Sequence, residues 1–493
     1  MPVVPNRLAF ALFASLALAA TGCRQRDDGT ATVTVIGPQP HLVDPAAGVP
    51  GPGDAVLLSA VAQGLVRFDA RGEIEPGLAE RWNVSDDGLS YIFRLTKAEW
   101  SGGRPINARD VARILNRQRS TASLNPLRDT MGAIDEIVAM TDRVIEIRLL
   151  APRPNLLILL AQPDFGLLHE GQGSGPFAID PAPPSGGAMH LRRSVAGPDG
   201  DDSRREVIRL RGADAKAAIR AFVADRTDLV LGGSFVDLPL TRSADLPRVA
   251  LRFDPVAGLF GLIPARKDGP LADPAVRRLL DQAIDREAMI ASLVVPDLAP
   301  RATILQPGLE GLADPVAPAW STQPIADRRA GLVAAADRLF GKTERPLIRI
   351  ALPEGPGSAI LLHRLARDWA LFGIRVAPAT KGIATDLKLV DAVAPSTSPA
   401  WFLRQFRCEV APLCDPHADE LLDAARAAPV ADQRAALLAE AARVIDEAQL
   451  FIALAAPVRW SLVASRLPGY APNIFARHPL TGLNQKLSRE RAN

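Results

Sequence analysis

Apolar residues follow two different periods along this chain. In residues 88–95, GLSYIFRL, every second side chain is apolar, which predicts a strand with one face in water. Residues 31–37, ATVTVIG, form a β-branched run that predicts an early strand. Residues 107–118, NARDVARILNRQ, instead place their apolar side chains on one helical face, with Asn107 as the predicted N-cap. Alternation of the two periods predicts a mixed α and β architecture.

The second half of the chain shows the same alternation of predicted helices and strands. Residues 275–294, AVRRLLDQAIDREAMIASLV, predict one amphipathic helix, and residues 347–353, LIRIALP, predict a strand. Residues 358–372 predict a further helix. Residues 418–454 predict two helices separated by Pro429 and then an apolar strand.

The N-terminus has the pattern of an export signal. Arg7 precedes an apolar run that ends at Ala20, and this run is shorter than the roughly 20 residues that span a bilayer. The block from Ala20 to Cys23 resembles a bacterial lipobox, in which a peptidase cuts before the cysteine and the thiol then carries lipid. The alternative is an ordinary signal peptide with an incidental Cys23. Either reading places the mature chain outside the cytoplasm.

The length of the chain limits the number of domains, and its charge argues against a nucleic-acid partner. The 493 residues allow two or three domains after removal of the signal, because single cores stop growing near ~250–300 residues. The net charge is +2, with Lys and Arg scattered along the chain. Nucleic-acid binding needs a concentrated basic surface, so we expect no nucleic-acid partner.

Two cysteines lie close together near the C-terminal end. Cys408 and Cys414 are the only cysteines besides Cys23, and an oxidising compartment favours a disulfide between them. The alternative is a metal site that also uses His417.

Common catalytic motifs are incomplete. GKT at 341–343 lacks the earlier glycine of a phosphate-binding loop, since position 336 is Ala. GQGSGPF at 171–177 is neither a nucleophile elbow nor a dinucleotide turn. The six histidines include no i, i+4 pair that could bind a metal from one helix face. We therefore predict neither an enzymatic activity nor a cofactor nor a metal site.

A family resemblance rests on several segments in order along the chain. It is carried by residues 57–95, by GGRPINARDV at 102–111, by GSGPFAI at 173–179 and by LADPAVRRLLDQAIDREAMI at 271–290. Together they resemble the family 5 bacterial extracellular solute-binding proteins, the oligopeptide- and dipeptide-binding lipoproteins of ABC importers. Each motif by itself is structural: turns, helix starts and helix ends.

The resemblance implies an α/β protein with the two-lobe periplasmic-binding-protein fold of type II, an extra inserted domain and a hinge between the lobes. The expected division is a lipoprotein signal peptide at 1–22, a discontinuous base lobe at 23–58, 172–262 and 460–493, an inserted domain at 59–171 and a second lobe at 263–459.

The function implied is capture of a peptide or peptide-like solute between the lobes and its delivery to ABC permease subunits. The expected protein is a periplasmic monomer anchored to the membrane through lipid on Cys23. Two alternatives stay open. One is a diverged binding or chaperone module without a transport role, and the other is a metal- or haem-binding member of the family.

The ligand-binding segment departs from the family pattern. Peptide-binding relatives carry A-D-Y-x-x-P-x-x-F-L, whose aspartate pairs with the peptide's α-amine, whereas residues 394–403 read APSTSPAWFL. Pro395 takes the aspartate position, and Asp391 lies four residues upstream, about 13 Å along an extended strand. The candidate ligand-binding residues are Asp391, Pro395 and Trp401, by their position just before or within this segment, with His41 and Asp44 in an early loop.

Overall fold

The structure, a computed structural model, describes residues 30–181, 187–196, 203–341 and 343–483. The predicted signal peptide and the lipidation at Cys23 lie outside these residues. Within the described part of the chain, no helix is both long enough and apolar enough to cross a membrane.

The strands, in chain order, are β1 (Thr30–Ile36), β2 (Val66–Phe68), β3 (Ile74–Pro76), β4 (Ala79–Val84), β5 (Ser90–Leu95), β6 (Ile134–Thr141), β7 (Val144–Leu149), β8 (Leu168–His169), β9 (Gln172–Gly173), β10 (Ala178–Ile179), β11 (Met189–Ala196), β12 (Ser203–Ala213), β13 (Leu229–Ser234), β14 (Leu251–Phe253), β15 (Gly258–Pro264), β16 (Leu347–Ala351), β17 (Arg375–Pro378), β18 (Leu387–Val393), β19 (Ile452–Ala455) and β20 (Arg459–Val463).

The α-helices are α1 (Pro52–Val61), α2 (Ala108–Gln118), α3 (Leu156–Leu160), α4 (Ala215–Val223), α5 (Leu238–Arg242), α6 (Pro274–Ala283), α7 (Arg286–Leu293), α8 (Ile325–Phe340), α9 (Pro356–Ala370), α10 (Pro399–Arg404), α11 (Pro416–Ala427) and α12 (Ala431–Glu447).

One lobe is built on a seven-stranded sheet in the order β10-β11-β12-β1-β13-β20-β14. The predicted early strand is confirmed as β1, which lies inside this sheet and pairs in parallel with β12 and β13. Val33 and Val35 of β1 are fully buried. Strands of this kind are β-branched because their side chains pack on a pleated, covered surface.

The second lobe is built on a five-stranded sheet in the order β17-β16-β18-β15-β19. The predicted strand near residue 350 is confirmed as β16, with Ile348 and Ile350 completely buried. Helix α9 covers this sheet and buries Trp369, whose indole Nε1 donates to the carbonyl of Leu280 at 2.9 Å.

A third unit carries a four-stranded antiparallel sheet in the order β4-β5-β7-β6. The alternating strand predicted at residues 88–95 is confirmed as β5, which buries Tyr91, Phe93 and Leu95. Helix α2 packs on this sheet with its apolar side. Asn107 is its N-cap as predicted, and its side-chain oxygen accepts from the Asp110 amide at 2.9 Å.

The chain passes between the two larger sheets twice. The first passage runs from β14 to β15 and the second from β19 to β20, through residues 254–257 and 456–458. Two short connections of this kind form a hinge, because a few residues can absorb a rotation of one lobe against the other. The expected division put residues 172–262 in the base lobe; sheet membership changes slightly earlier, between β14 and β15.

The single helix predicted for residues 275–294 is wrong in one respect. Two helices, α6 and α7, replace it, because Ile284 adopts an extended conformation. The Asp285 carboxylate then accepts from the Ala288 amide at 3.0 Å and caps α7. Apolar periodicity continued through the break, so only the Asp285 capping signal marked it.

Candidate functional site

A cavity of about 540 Å³ lies where both lobes and the third unit meet. Val35 of β1 and residues 231–233 of β13 form its floor, at the carboxyl ends of two parallel strands. Residues 391–395, at the end of β18 and just beyond, form the facing wall. Ligands of open α/β sheets bind at such carboxyl ends, so this cavity is the candidate binding site.

Aromatic side chains shape the cavity. Phe68 and Phe475 stack with ring centres 4.9 Å apart. The Trp460 indole lies against β13 and donates from Nε1 to the Ser234 carbonyl at 2.8 Å. A Cβ at Gly233 would lie 2.2 Å from the Trp460 ring, so glycine there lets the indole rest directly on the backbone. The result is a mostly apolar cleft with a few fixed polar groups.

Asp391 lines the cavity but already has a cationic partner. Arg459 Nη1 lies 2.8 Å from Asp391 Oδ1, and Arg459 Nη2 donates to the Asp391 carbonyl at 3.1 Å. Burial raises the pKa of Asp391, and the ion pair with Arg459 opposes that rise. The carboxylate is therefore neutralised by the protein's own guanidinium rather than left for a ligand amine.

Pro395 lines the cavity too, and the third unit covers it. Gln162 Nε2 donates to the Pro395 carbonyl at 2.7 Å. Next to it, Asn155 Nδ2 donates to Ser396 Oγ at 3.0 Å. The two positions where relatives carry aspartate and tyrosine are thus hydrogen-bonded to the opposite side of the cleft.

The remaining charged groups of the cavity are also paired. Arg477 donates from Nε to Gln162 Oε1 at 3.1 Å, and its Nη2 lies 3.5 Å from Asp164 Oδ2. His478 Nε2 lies 3.1 Å from Asp254 Oδ2. Arg67 pairs with Glu75, which lies outside the cavity. Each guanidinium group of the cleft therefore has a carboxylate partner within the protein.

Trp401 is the third predicted residue that lines the cavity. Its ring contacts that of Phe402 edge to face, with centres 5.1 Å apart. The other two candidates do not line it. His41 is exposed, with its imidazole Nδ1 3.0 Å from Asp54 Oδ1, while Asp44 accepts from the Ala46 amide and pairs with Arg117.

Sequence reasoning missed Arg459, Arg477 and Gln162. Their partners lie 68 residues away for Arg459 and 315 for the pair of Arg477 and Gln162, so no local pattern joins them. The one local signal for Arg459 is its position directly after the short connection between β19 and β20.

In the structure, Cys408 and Cys414 form a disulfide, with Cα atoms 5.0 Å apart. His417 contacts Glu420 instead, at 3.3 Å. Among the described residues, no three His, Cys, Asp or Glu side chains lie close enough together to hold a metal ion.

Two sheets joined by a double hinge, with a cavity between them, define a two-lobe binding protein. The family is shown by its model: residues 73–377 match that of the bacterial extracellular solute-binding proteins, family 5 (middle region). The chain belongs to this family, as the resemblance implied.

Curated relatives include a probable di/tripeptide-binding protein 5 of Pseudomonas aeruginosa, 24% identical over 476 residues that cover 84% of this chain and 88% of the relative. A probable deoxycholate-binding periplasmic protein, YgiS of Escherichia coli, is 33% identical over 129 residues, which cover 22% of this chain and 24% of the relative.

Solved structures have the same fold. The murein tripeptide binding protein MppA of Escherichia coli superposes with a TM-score of 0.78 at 18% identity, covering 92% of this chain and 97% of that one. The OppA of Haemophilus influenzae in complex with RPPGFSPFR gives a TM-score of 0.77 at 17% identity, covering 92% and 99%. These likenesses confirm the two-lobe α/β fold.

Proposed function

We propose that this protein is the solute-binding component of an ABC importer and that it captures a small peptide or peptide-like solute in the cleft. The observation that carries the proposal is the cavity of about 540 Å³ at the carboxyl ends of β1 and β13, walled by both lobes beside the hinge. A solute that touches both walls favours the closed state by its differential affinity, and a permease can recognise that state. No catalysed reaction forms part of this proposal.

The occupied carboxylates of the cavity disfavour a solute that is anchored through an ammonium group. Asp391 and Asp164 each have an arginine partner, and Asp254 accepts from the Asn473 amide, so an ammonium would meet no free carboxylate among the described residues of this partly desolvated site. A short peptide anchored through its carboxylate fits this condition.

Arg477 is the group we assign to the solute's carboxylate. Its one described carboxylate contact, with Asp164, is long at 3.5 Å, and the side chain is half-buried. An arginine of this kind can rotate to give a carboxylate two parallel hydrogen bonds. The α-amine, by contrast, finds Asp391 already occupied by Arg459.

The first test is native mass spectrometry of the exported protein with Cys23→Ser, which removes the lipidation site. A mass released on denaturation would identify the solute. Trialanine, its N-acetyl form and its C-terminal amide are then compared by calorimetry. We expect N-acetylation to change affinity less than about threefold and amidation to weaken it about tenfold, since a charge-assisted hydrogen bond contributes ~1.5–3 kcal/mol.

Arg477→Gln should remove the difference between the acid and the amide. Arg466→Gln is the matched control, because Arg466 pairs with Asp225 and Asp228 on the same lobe, away from the cavity. Absence of a released mass, together with no thermal stabilisation by the peptides, would overturn the proposal, because a ligand of the folded state must raise stability.

A second candidate is a binding module that no longer serves transport. Gln162 and Asn155 of the third unit bond directly to Pro395 and Ser396, so protein groups alone join the two sides of the cleft at these positions. Small-angle scattering distinguishes the two: a transport component contracts on binding solute, whereas this module keeps one radius of gyration with and without it.

We further propose a periplasmic location with a lipid anchor on Cys23. Cys23→Ser should move the protein from the membrane fraction to the soluble periplasm. An unchanged distribution would favour an ordinary cleaved signal peptide instead.

A further inference from the structure

A second, smaller cavity lies on the far side of the contact between Asn155 and Ser396. It measures about 180 Å³, between residues 129–159 of the third unit and helices α10, α11 and α12 of the second lobe. Among the described residues, only Trp401 lines both cavities.

The charges around this cavity do not balance. Two of its lining residues are acidic, Asp129 and Glu310. Five are arginines: Arg153, Arg404, Arg407, Arg426 and Arg434. The second cavity thus differs sharply from the cleft beside it, where each guanidinium group has a carboxylate partner.

Arg407 is the member of this group with close acidic partners. Its Nη1 lies 2.8 Å from Asp423 Oδ1, and its Nε lies 3.5 Å from Glu409. This guanidinium is compensated from outside the cavity and helps to position α11. It does not need a ligand.

Three of the other arginines bond only to backbone carbonyls within the described residues. Arg153 Nη2 donates to the Arg426 carbonyl at 3.1 Å, and Arg434 Nη2 donates to the Ala428 carbonyl at 3.2 Å. Arg404 donates to the Asp129 carbonyl. Their positive charges are therefore not cancelled by an ion pair.

The arginines also oppose one another. Burial, with the charges of Arg434, Arg404 and Arg426, lowers the pKa of Arg153 to about 10. Burial and the charges of Arg426 and Arg407 lower the pKa of Arg404 to about 10, although the charges of Asp129 and Glu409 oppose this shift. Both arginines stay protonated at neutral pH, so the guanidinium groups around the cavity outnumber its two carboxylates.

A hydrogen-bond donor is free at the same place. Arg434 Nε is buried, and no described atom accepts from it. A buried donor without an acceptor destabilises the folded protein. An anion in the cavity would accept from this donor and cancel the repulsion between the guanidinium groups at once.

The rest of the wall is apolar. It consists mainly of Ile134, Leu149, Leu156, Leu159, Leu422 and Leu438. A fully hydrated inorganic anion would leave this surface unused, whereas a compact organic anion would cover it.

We propose that this cavity is a second ligand site, which binds a compact organic carboxylate with its charged end at Arg153, Arg404 and Arg434 and its apolar body against the leucines. The site does not depend on what the cleft binds. Because its walls come from the third unit and the second lobe, an anion bound there stabilises their closed arrangement.

The test uses the full mature chain with Cys23→Ser in a buffer of low anion content. Benzoate and hexanoate are titrated by calorimetry and thermal unfolding, with benzamide and inorganic phosphate as comparison probes. We expect both carboxylates to bind and raise the unfolding temperature. Equal stabilisation by benzamide, which has no carboxylate, would show that the arginines do not contribute to binding. Stabilisation by phosphate alone would show that the leucines do not contribute. Either outcome overturns the proposal.

Variants locate the site. Arg153→Gln and Arg434→Gln should each weaken benzoate roughly tenfold or more, as expected for the loss of one charge-assisted hydrogen bond. Arg443→Gln is the matched control, because Arg443 lies on α12 with Arg434 but pairs outside the cavity with Glu440 and Glu447.

The same variants test whether these arginines serve only to hold the fold. If they form a ligand site, Arg153→Gln and Arg434→Gln without anion should unfold at the same temperature as the parent or higher, because one repelling charge is removed. Loss of stability in the absence of anion, with the benzoate affinity kept, would show that the arginines hold the fold and bind no ligand. Arg153→Lys, which retains the charge, should keep most of the affinity and covers the case in which glutamine prevents folding.

Discussion

Arg459, the first residue of β20, binds Asp391 of β18 across the two sheets that the hinge joins. Nη1 lies 2.8 Å from the carboxylate, and Nη2 lies 3.1 Å from the carbonyl of the same residue. Both side chains are largely buried, with 19% and 15% exposed. The Arg459 guanidinium therefore links the first residue of β20, next to the hinge, to the cavity wall of the other lobe. It also compensates the negative charge of Asp391 in that wall.

Arg459→Met should destabilise the protein by about 3 kcal/mol at pH 8, because it leaves a buried carboxylate without its partner. The pKa of Asp391 is already raised by burial, and Arg459 opposes the rise, so its removal raises this pKa further. A carboxyl with a raised folded-state pKa is less costly when protonated. The destabilisation should therefore shrink at pH 5, as measured by denaturant unfolding at both pH values.

Asp391→Asn combined with Arg459→Met should cost less than Arg459→Met alone, since no uncompensated charge remains. Arg94→Met is the matched control: it breaks a more exposed pair with Glu80, and we expect a loss of less than about 1 kcal/mol. Equal losses in the single and double variants would contradict an unpaired Asp391 as the cause.

Pro395→Asp should introduce recognition of a free α-amine. The new carboxylate would take the position that carries aspartate in peptide-binding relatives, while the backbone carbonyl that accepts from Gln162 is retained. We expect trialanine to gain about tenfold over its N-acetyl form, the size of one charge-assisted hydrogen bond. Calorimetry of the two peptides measures the ratio.

Pro395→Ala controls for the loss of the proline ring and should show no preference between the two peptides. If Pro395→Asp also shows none, the segment does not face the solute's amine. In the absence of peptide, Pro395→Asp should unfold at a lower temperature than the parent, because it buries a carboxylate.

Much of the fold could be predicted from local patterns. Strand β5 and helix α2 follow from periods of two and 3.6, and the Asn107 cap follows from residue chemistry. The break between α6 and α7 could not be read from periodicity, because Ile284 continues the apolar stripe while its backbone turns away. The local signal was the capping aspartate alone.

The site was less accessible to sequence reasoning. Asp391, Pro395 and Trp401 line the cavity, and they were predicted because they lie in or just before a segment that aligns with a family pattern. Arg459 and Gln162 were missed because their contacts form only when distant strands meet. His41 and Asp44 lie in a loop whose side chains serve local turns and ion pairs.

Gln162→Ala should loosen the closed cleft. The substitution removes two hydrogen bonds of the cavity wall. In one, Gln162 donates to the Pro395 carbonyl, and in the other it accepts from Arg477. We expect a radius of gyration larger than that of the parent by small-angle scattering in the presence of trialanine, and a loss of about 1 kcal/mol in stability. Asn155→Ala, which frees Ser396, should act in the same direction.

Asn116→Ala is the control for these two variants, because Asn116 bonds to Ile137 within the third unit and not across the cleft. It should leave the radius unchanged. An unchanged radius in Gln162→Ala combined with Asn155→Ala would show that other contacts hold the lobes together.

Asp446 of α12 should make stability fall as pH rises. Burial is the main cause that raises its pKa to about 7, with a smaller effect from Asp281, although its carboxylate accepts from the Ile304 amide at 3.1 Å. Between about pH 4, near the usual pKa of an aspartic acid, and pH 7, the folded protein keeps a proton that the unfolded chain has released. The free energy of unfolding therefore decreases over this range and stays low above it.

Asp446→Asn keeps an acceptor for Ile304 and cannot ionise. We expect it to be more stable than the parent at pH 8 by on the order of 3 kcal/mol, with the difference vanishing near pH 4. Urea unfolding at pH 4, 6 and 8 measures this difference. Asp432→Asn, on the exposed first turn of the same helix, should show little change at any of these values. A difference for Asp446→Asn that does not depend on pH would mean that packing, and not the proton, sets its effect.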